Sequence, residues 1–348
     1  MRYLAILGIQ PEISIAELEA TDFCTDIDRL GGVMKLAVQF DGTPIDYLQG
    51  LPEGKLTIGV SDYAKGASKK SALNEALKLK KILVRHGRSV RVVENKEAVL
   101  STATSLHNGL SGGNVRKVEL IKTDEGWFRV VGVQDIDAYA RRDQMRPARD
   151  ARVGMLPPKL AQILINLCGL LKPGSVVLDP FCGTGVVLQE ALLMGYRAYG
   201  TDISERMVDY SEKKLKWLTK SNNGFWVSQG DATSYTWQRS IDAVACEGYL
   251  GKPFSRIPTE MELKEQKQEC ATIVLGFLKN LAGQIKSETP VVIAVPAWLR
   301  NSGEYERMEI LDEIDKLGYN VNNKTREGLL YHRDDQVVAR DIIILRKK

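Results

Sequence analysis

Apolar and polar positions alternate in two manners along the chain. In the first 140 residues short apolar runs, 2–9, 33–40, 56–60, 89–93, 117–122 and 127–134, read as strands, with short helical patterns between them at 13–20 and 98–110. Residues 71–86 are rich in helix formers, with Leu73, Ala76, Leu77, Leu83 and Val84 as the expected inward face and Gly87 as the stop. Small mixed α+β units follow from this pattern. From residue 174 the rhythm becomes regular. Strands are expected at 175–179, 197–202, 225–230, 241–246 and 290–296, with a closing antiparallel pair at 328–332 and 337–345 turning at Arg333, Asp334 and Asp335. Helices are expected at 185–195, 204–218, 260–286 and 304–317. Apolar strands alternating with amphipathic helices predict a doubly wound, mostly parallel α/β sheet.

Between these halves, residues 141–152 are polar and highly charged and have no periodicity, so they mark the boundary. Pro157 and Pro158 then suit the first turn of a helix whose apolar face is Leu160, Ile163, Leu164 and Leu167. The expected division is 1–50, 51–140, a linker 141–156, and 157–348. A length of 348 residues fits at least two domains.

Composition narrows the class. The 44% hydrophobic content supports true cores, and no apolar run reaches the length of a membrane span. Five cysteines stand apart with no CxxC pair, and there are three histidines, which points away from a metal site and toward reduced thiols in the cytoplasm. The net charge of +4 is modest, but its placement is uneven. Residues 1–50 hold 3 Lys/Arg against 8 Asp/Glu, whereas residues 51–100 hold 11 against 5. Lys69, Lys70, Lys81, Arg85, Arg88 and Arg91 are candidates for nucleic-acid phosphates, joined by Arg146 and Arg149 in the linker. A solvated lysine-rich helix face accounts for the same charge.

The chemistry concentrates at 176–185. A β-branched run ends in Asp179, Pro180, Phe181, Cys182, Gly183, Thr184 and Gly185, a tight turn in which two glycines let the backbone approach a ligand. The dinucleotide pattern with three glycines is absent, which disfavours a hydride-transfer enzyme. Asp202, followed by Ile203, ends the second strand and is placed to accept from ribose hydroxyls. Asp231, followed by Ala232, ends the third and is placed to accept from an adenine amine. Simple capping of the following helices is the competing explanation for these acids.

DPFCGTG followed by GTDIS resembles the S-adenosylmethionine site of class I amino-methyltransferases. Residues 141–167 are similar to the segment leading into that domain in archaeal and eukaryotic tRNA guanosine-N2-methyltransferases of the position-ten type. Residues 71–110 resemble a THUMP domain, the first 20 residues a small ferredoxin-like domain, and 331–345 the family's closing hairpin. The resemblance implies an S-adenosylmethionine-dependent enzyme acting on the exocyclic amine of a guanosine in tRNA. Some members of the family work with a small zinc-binding activator protein and others alone, and the sequence does not choose between them.

At the fourth strand the family carries Asp/Asn-Pro-Pro-Tyr/Phe, whereas this chain carries Cys246, Glu247, Gly248 and Tyr249. On that resemblance Glu247 supplies the carboxylate one position late, Gly248 reshapes the loop and Tyr249 stacks on an extruded base. Cys246 reads as a buried thiol rather than a nucleophile. Loss of catalysis, with retained cofactor and RNA binding, and action on DNA adenine or protein are the alternatives.

Overall fold

The computed structural model describes residues 1–144, 156–220, 223–322, 329–333 and 336–348. In chain order the first half contains β1 (Tyr3–Leu7), α1 (Pro11–Ala20), β2 (Val33–Gln39), α2 (Pro44–Gln49), β3 (Leu56–Asp62), α3 (Lys69–Arg85), β4 (Val90–Val92), α4 (Thr102–His107), β5 (Lys117–Thr123), β6 (Gly126–Val133) and α5 (Ile136–Gln144). The second half contains α6 (Pro158–Asn166), β7 (Val176–Asp179), α7 (Val186–Leu193), β8 (Arg197–Asp202), α8 (Glu205–Thr219), β9 (Phe225–Gln229), β10 (Ala243–Glu247), α9 (Glu260–Ala282) and β11 (Pro290–Leu299). It closes with β12 (Tyr305–Arg307), α10 (Leu311–Lys316), β13 (Tyr319–Val321), β14 (Leu330–Tyr331) and β15 (Val338–Lys347).

Two compact units result. The first comprises residues 1–9, 24–29 and 33–139. Its six described strands run in the order β1-β2-β6-β5-β3-β4. β3 is parallel to both β4 and β5, and the remaining pairs are antiparallel. The division expected at residue 50 is therefore not a sheet boundary. A lone β1–β2 pair would leave an unpaired edge and little core, and β2 also pairs with β6. α3 caps its N-terminus with a box in which Ser68 and Ser71 exchange hydrogen bonds. Its buried face is Ala72, Ala76, Leu79 and Leu83, while Leu77 and Val84 lie outside, about half exposed. The buried face is thus rotated from the expected one, keeping Ala76 and Leu83 and taking in Ala72 and Leu79.

The second unit comprises residues 10–23, 30–32 and 140–348. Its main sheet runs β13-β15-β11-β10-β7-β8-β9, with β12 added to β11 and β14 to β15. The pairs from β11 through β9 are parallel, and β15 is antiparallel to β11. One face is covered by α6, α7 and α8 through residues such as Leu160, Val187 and Leu215. The other is covered by α9 and α10 through Leu263, Phe277 and Ile314. Helices on both faces of a mostly parallel sheet make this the doubly wound class, and the strand order reverses between β7 and β10. Ligands of such sheets bind outside the carboxyl ends of the strands at that reversal.

α1 lies in this unit rather than beside the strands that flank it in sequence. Glu17, buried on α1, accepts from the Gly31 and Gly32 amides at 2.8 and 2.7 Å and from Asn166 of α6 at 2.7 Å. The helix expected over 304–317 is two elements. Residues 305–307 extend the sheet as β12, antiparallel to Ala297–Leu299 of β11, and only 311–316 are helical. A turn at Gly303, with φ of +85°, folds the chain back onto the β11 edge. Asp334 and Asp335 of the expected final turn lie outside the described residues. β14 and β15 pair antiparallel as expected.

Candidate cofactor and acceptor site

A cavity of about 1180 Å³ opens at the reversal point. The turn after β7 forms its floor. Gly185 begins α7 at φ of +73°, and a Cβ there would stand 2.8 Å from Ser211 Oγ of α8. Its role is close packing of turn against helix, and it does not line the cavity. Asp179, Pro180, Phe181, Cys182, Gly183 and Thr184 do.

Asp179 is 3% exposed, and its Oδ1 accepts from the Phe181 amide at 3.1 Å. Burial pushes its carboxyl well above the usual carboxylate range. The Phe181 hydrogen bond opposes that, and the nearby carboxylates of Asp202 and Glu247 add to it. Asp202 ends β8 and has two tasks. Its Oδ2 accepts from the Gly183 amide and its Oδ1 from the Ser204 amide, both at 2.9 Å, so one side chain pins the glycine turn and the start of α8. Asp231 holds its own turn through Thr233, whose amide and hydroxyl donate to Oδ1 at 2.9 and 2.7 Å. The capping explanation and the ligand explanation thus coexist. Both acids cap turns and both line the cavity, and a carboxylate offers about four acceptor positions. Ile203 and Ala232 line it as well. Ile203 is 70% exposed, which leaves a large apolar side chain available to cover a flat ring.

The acceptor side is formed by the end of β10. Cys246 is fully buried within the core on the α9 face, and burial, before all else, holds its thiol well above the ordinary range. This environment keeps it protonated and inert. Glu247, Gly248 and Tyr249 line the cavity. Here the strand continues where two prolines would have broken it: the Gly248 amide donates to Ala294 O at 2.9 Å, a bond a proline cannot make. The Tyr249 hydroxyl donates to Glu269 Oε1 at 3.2 Å. The Glu247 carboxylate is held by the Arg340 guanidinium of β15. Burial raises the Glu247 carboxyl, and Arg340 only partly offsets this.

Some lining residues carried no role in the sequence reading: Arg340, Gln336, Val338, Phe254, and Thr272 and Gly276 of α9. A motif could have flagged only the hairpin that holds Arg340, because its partner across the sheet is 93 positions away.

The basic candidates lie on the first unit. Lys69, Lys70, Lys81 and Arg85 are exposed along α3. Arg88 is partly buried and holds a loop. Its Nη1 donates to Leu51 O at 3.0 Å, its Nε to Gly54 O at 3.1 Å, and its Nη2 to Pro52 O. Three of its five N–H donors thus tie down a loop of carbonyls. Arg91 is exposed and donates to Asn108 Oδ1 at 3.0 Å. Arg146 and Arg149 lie outside the described residues. Among the described residues no helix is long and apolar enough to cross a membrane, and no cluster of three His, Cys, Asp or Glu could hold a metal.

Comparison with known proteins bears on the second unit as a whole. A family described as a methyltransferase domain matches residues 177–259, and one described as DNA methylase matches 133–213. A tRNA (guanine(10)-N2)-dimethyltransferase of Methanothermobacter thermautotrophicus is 40% identical over 98 residues, which is 28% of this chain and 28% of that relative. The protein of that name from Pyrococcus abyssi is 27% identical over 274 residues, covering 75% of this chain and 77% of its own length. The type II methyltransferase M.MwoI of Methanothermobacter wolfeii is 25% identical over 159 residues, 43% of this chain and 23% of its own. The strand order, the glycine turn and the matched domain define the second unit as an S-adenosylmethionine-dependent methyltransferase domain.

Proposed function

We propose that this chain methylates the exocyclic N2 amine of a guanosine in tRNA. The observation that carries the reading is one cavity holding two groups of residues: the acids at the ends of β7, β8 and β9, and an acid–aromatic pair, Glu247 and Tyr249, at the end of β10. The alignment with the Pyrococcus abyssi protein over three-quarters of the chain supports guanosine in tRNA as the acceptor. The basic α3, within a region that resembles a THUMP domain, supports RNA.

In this reading Asp179, Asp202, Ile203, Asp231 and Ala232 hold the cofactor, which supplies a methyl group on a sulfonium. An amine on a purine is a poor nucleophile because its lone pair is delocalised. Glu247 accepts one of its hydrogens, turns the nitrogen toward the methyl group and takes the released proton. Tyr249 covers the base, and Phe181, Phe254 and Val338 exclude water. Lys69, Lys70, Lys81 and Arg85 position the RNA through phosphates without reading its sequence.

The test is incubation with labelled S-adenosylmethionine and unmodified tRNA, followed by digestion and identification of the labelled nucleoside. N2-methylguanosine is expected, with Glu247→Ala and Tyr249→Ala each lowering kcat by about tenfold or more. Unchanged turnover in both variants would remove the acceptor assignment. The match to a DNA methylase family favours a second reading, an amine of DNA as acceptor. Competition of duplex DNA against tRNA decides between them. Cofactor and tRNA binding with no label transferred would instead indicate a chain that keeps the fold without the reaction.

Asp179 gives a pH signature. Burial raises its folded-state pKa, whereas the sulfonium and ammonium groups of the cofactor favour the carboxylate. Affinity therefore rises as pH rises through that pKa, and binding releases a proton. For fold stability the sign is opposite. This group's contribution is fully present below its unfolded value and is lost as pH rises through the folded value. Calorimetric titration in two buffers of different ionisation enthalpy checks this; a binding heat independent of the buffer contradicts it.

RNA affinity is expected to be strongly salt-dependent. The K81A/R85A variant is expected to reduce the slope of log K against log salt by about one to two. An unchanged slope places the RNA elsewhere.

A further inference from the structure

With Cys246-Glu247-Gly248 where the resembled family has Asp/Asn-Pro-Pro, the carboxylate at this strand end comes from Glu247, and another strand supplies the arginine that holds it. The register of the sheet explains how. Glu247 pairs with Ala294 of β11, and Ala294 pairs in turn with Ile342 of β15. Directly paired residues project to the same face, and so do residues two apart on one strand. Glu247, Ala294, Ile342 and Arg340 therefore share one face, while Cys246, Ile293 and Ile343 share the other. Arg340 sits two positions from Ile342, toward the carboxyl ends of the parallel strands, and reaches back to Glu247.

The pair is nearly enclosed, with side-chain exposures of 7% for Arg340 and 17% for Glu247. Arg340 donates through Nε to Glu247 Oε1, and through Nη1 to Gln336 Oε1 at 3.4 Å. Among the described residues, neither Arg340 Nη2 nor Glu247 Oε2 has a hydrogen-bond partner, and both residues line the cavity. The other titratable or charged groups near Glu247 are Asp179 at the end of β7 and the buried thiol of Cys246. The ion pair is thus held by one oxygen and one nitrogen, while its second oxygen and second terminal nitrogen belong to residues that line the cavity, where a ligand can complete them.

We propose that Arg340 is a substrate-binding residue of the acceptor site: it occupies Glu247 Oε1, leaves Oε2 open toward the purine amine, and offers Nη2 to the ring acceptor beside that amine. This rests on the reading of a purine amine in tRNA as methyl acceptor. A single edge-on oxygen next to a single donor matches an amine flanked by a ring nitrogen. Lysine cannot reproduce it, because an ammonium lacks the planar fork that holds one oxygen and points a second donor alongside it. The carboxylate lost from position 246 is thus restored from position 247 only because β15 supplies the arginine.

The test compares the full-length wild type with R340K and R340Q, using labelled S-adenosylmethionine and the same tRNA. Cofactor affinity is expected to change by less than about threefold in both variants and the KM for tRNA only modestly, while kcat falls by about tenfold or more. The acid limb of the kcat–pH profile is expected to move to higher pH by about one unit in R340Q, since Glu247 then loses its cationic partner. Unchanged kcat and an unchanged limb in a folded R340K or R340Q would overturn the proposal. Titration of the Glu247 carboxyl by ¹³C NMR, assigned with E247Q, keeps the two readings separate. If the wild type transfers no methyl group to tRNA, the tRNA reading fails, but an upward move of that titration in R340Q still supports the pairing. Identical titration in wild type and R340Q overturns the pairing whatever the activity.

Discussion

Asp202→Ala is expected to weaken S-adenosylmethionine binding by about a hundredfold or more. The Asp202 side chain holds the Gly183 and Ser204 amides at 2.9 Å each, so its loss frees the glycine turn on one side of the cavity and the first turn of α8 on the other. It also removes the acceptor proposed for the ribose hydroxyls. A hydrogen bond to a charged group contributes about 1.5–3 kcal/mol, and two such bonds to the ligand already account for a factor on the order of a hundred. Disorder of the turn adds to that. Asp202→Asn keeps one carbonyl oxygen and is expected to fall between alanine and wild type. Calorimetric titration with the cofactor measures all three. A dissociation constant for the alanine variant within about threefold of wild type would show that neither the turn nor the ribose depends on this carboxylate.

The second large effect lies in the other unit and concerns stability. Lys35 on β2 and Glu119 on β5 are 2% and 0% exposed and form an ion pair at 2.6 Å. The pair is embedded in a complete network. Lys35 Nζ also donates to Leu100 O at 2.7 Å and Ser105 Oγ at 2.9 Å, while Glu119 accepts from Ser61 at 2.6 Å and Ser105 at 2.5 Å. Lys35→Met leaves a carboxylate buried with hydroxyl donors only. The first unit is expected to lose about 3–5 kcal/mol, the usual cost of stranding one half of a buried pair. Lys35→Met combined with Glu119→Gln removes the stranded charge and is expected to recover a large part of the loss. Hydrogen exchange of the β2 and β5 amides reads this unit selectively. Equal destabilisation in the single and double variants would mean that packing around Lys35, rather than charge, is at stake.

The candidate site was legible to different depths. The turn from Asp179 to Gly185 and the acids Asp202 and Asp231 stand in local patterns, each at a strand end followed by a turn, and such positions need no partner from afar to be located. The structure places all of them around one cavity except Gly185, whose space is taken by packing against Ser211. The face of α3 is not legible from periodicity, which weights large apolar residues: Ala72 is buried, while Leu77 and Val84 lie outside. Residues 304–317 were misread because a three-residue strand has almost no period, and its existence depends on the free edge of β11. Arg88 looked like one more surface cation, yet its donors serve carbonyls more than thirty residues earlier in the chain.

What the sequence by itself determined is the order of elements from β7 to β11, the glycine turn and the three acids. These come from side-chain patterns repeated at short range, where period and turn chemistry suffice. Only the tertiary structure decided that β1 and β2 share a sheet with β3 to β6, that α1 belongs with the second unit, and that Glu247 is gripped by Arg340. Each of these depends on which strand edges and faces meet across long stretches of chain. Strand register then decides which side chains share a face, and a shift of one residue would have turned Cys246, not Glu247, toward Arg340.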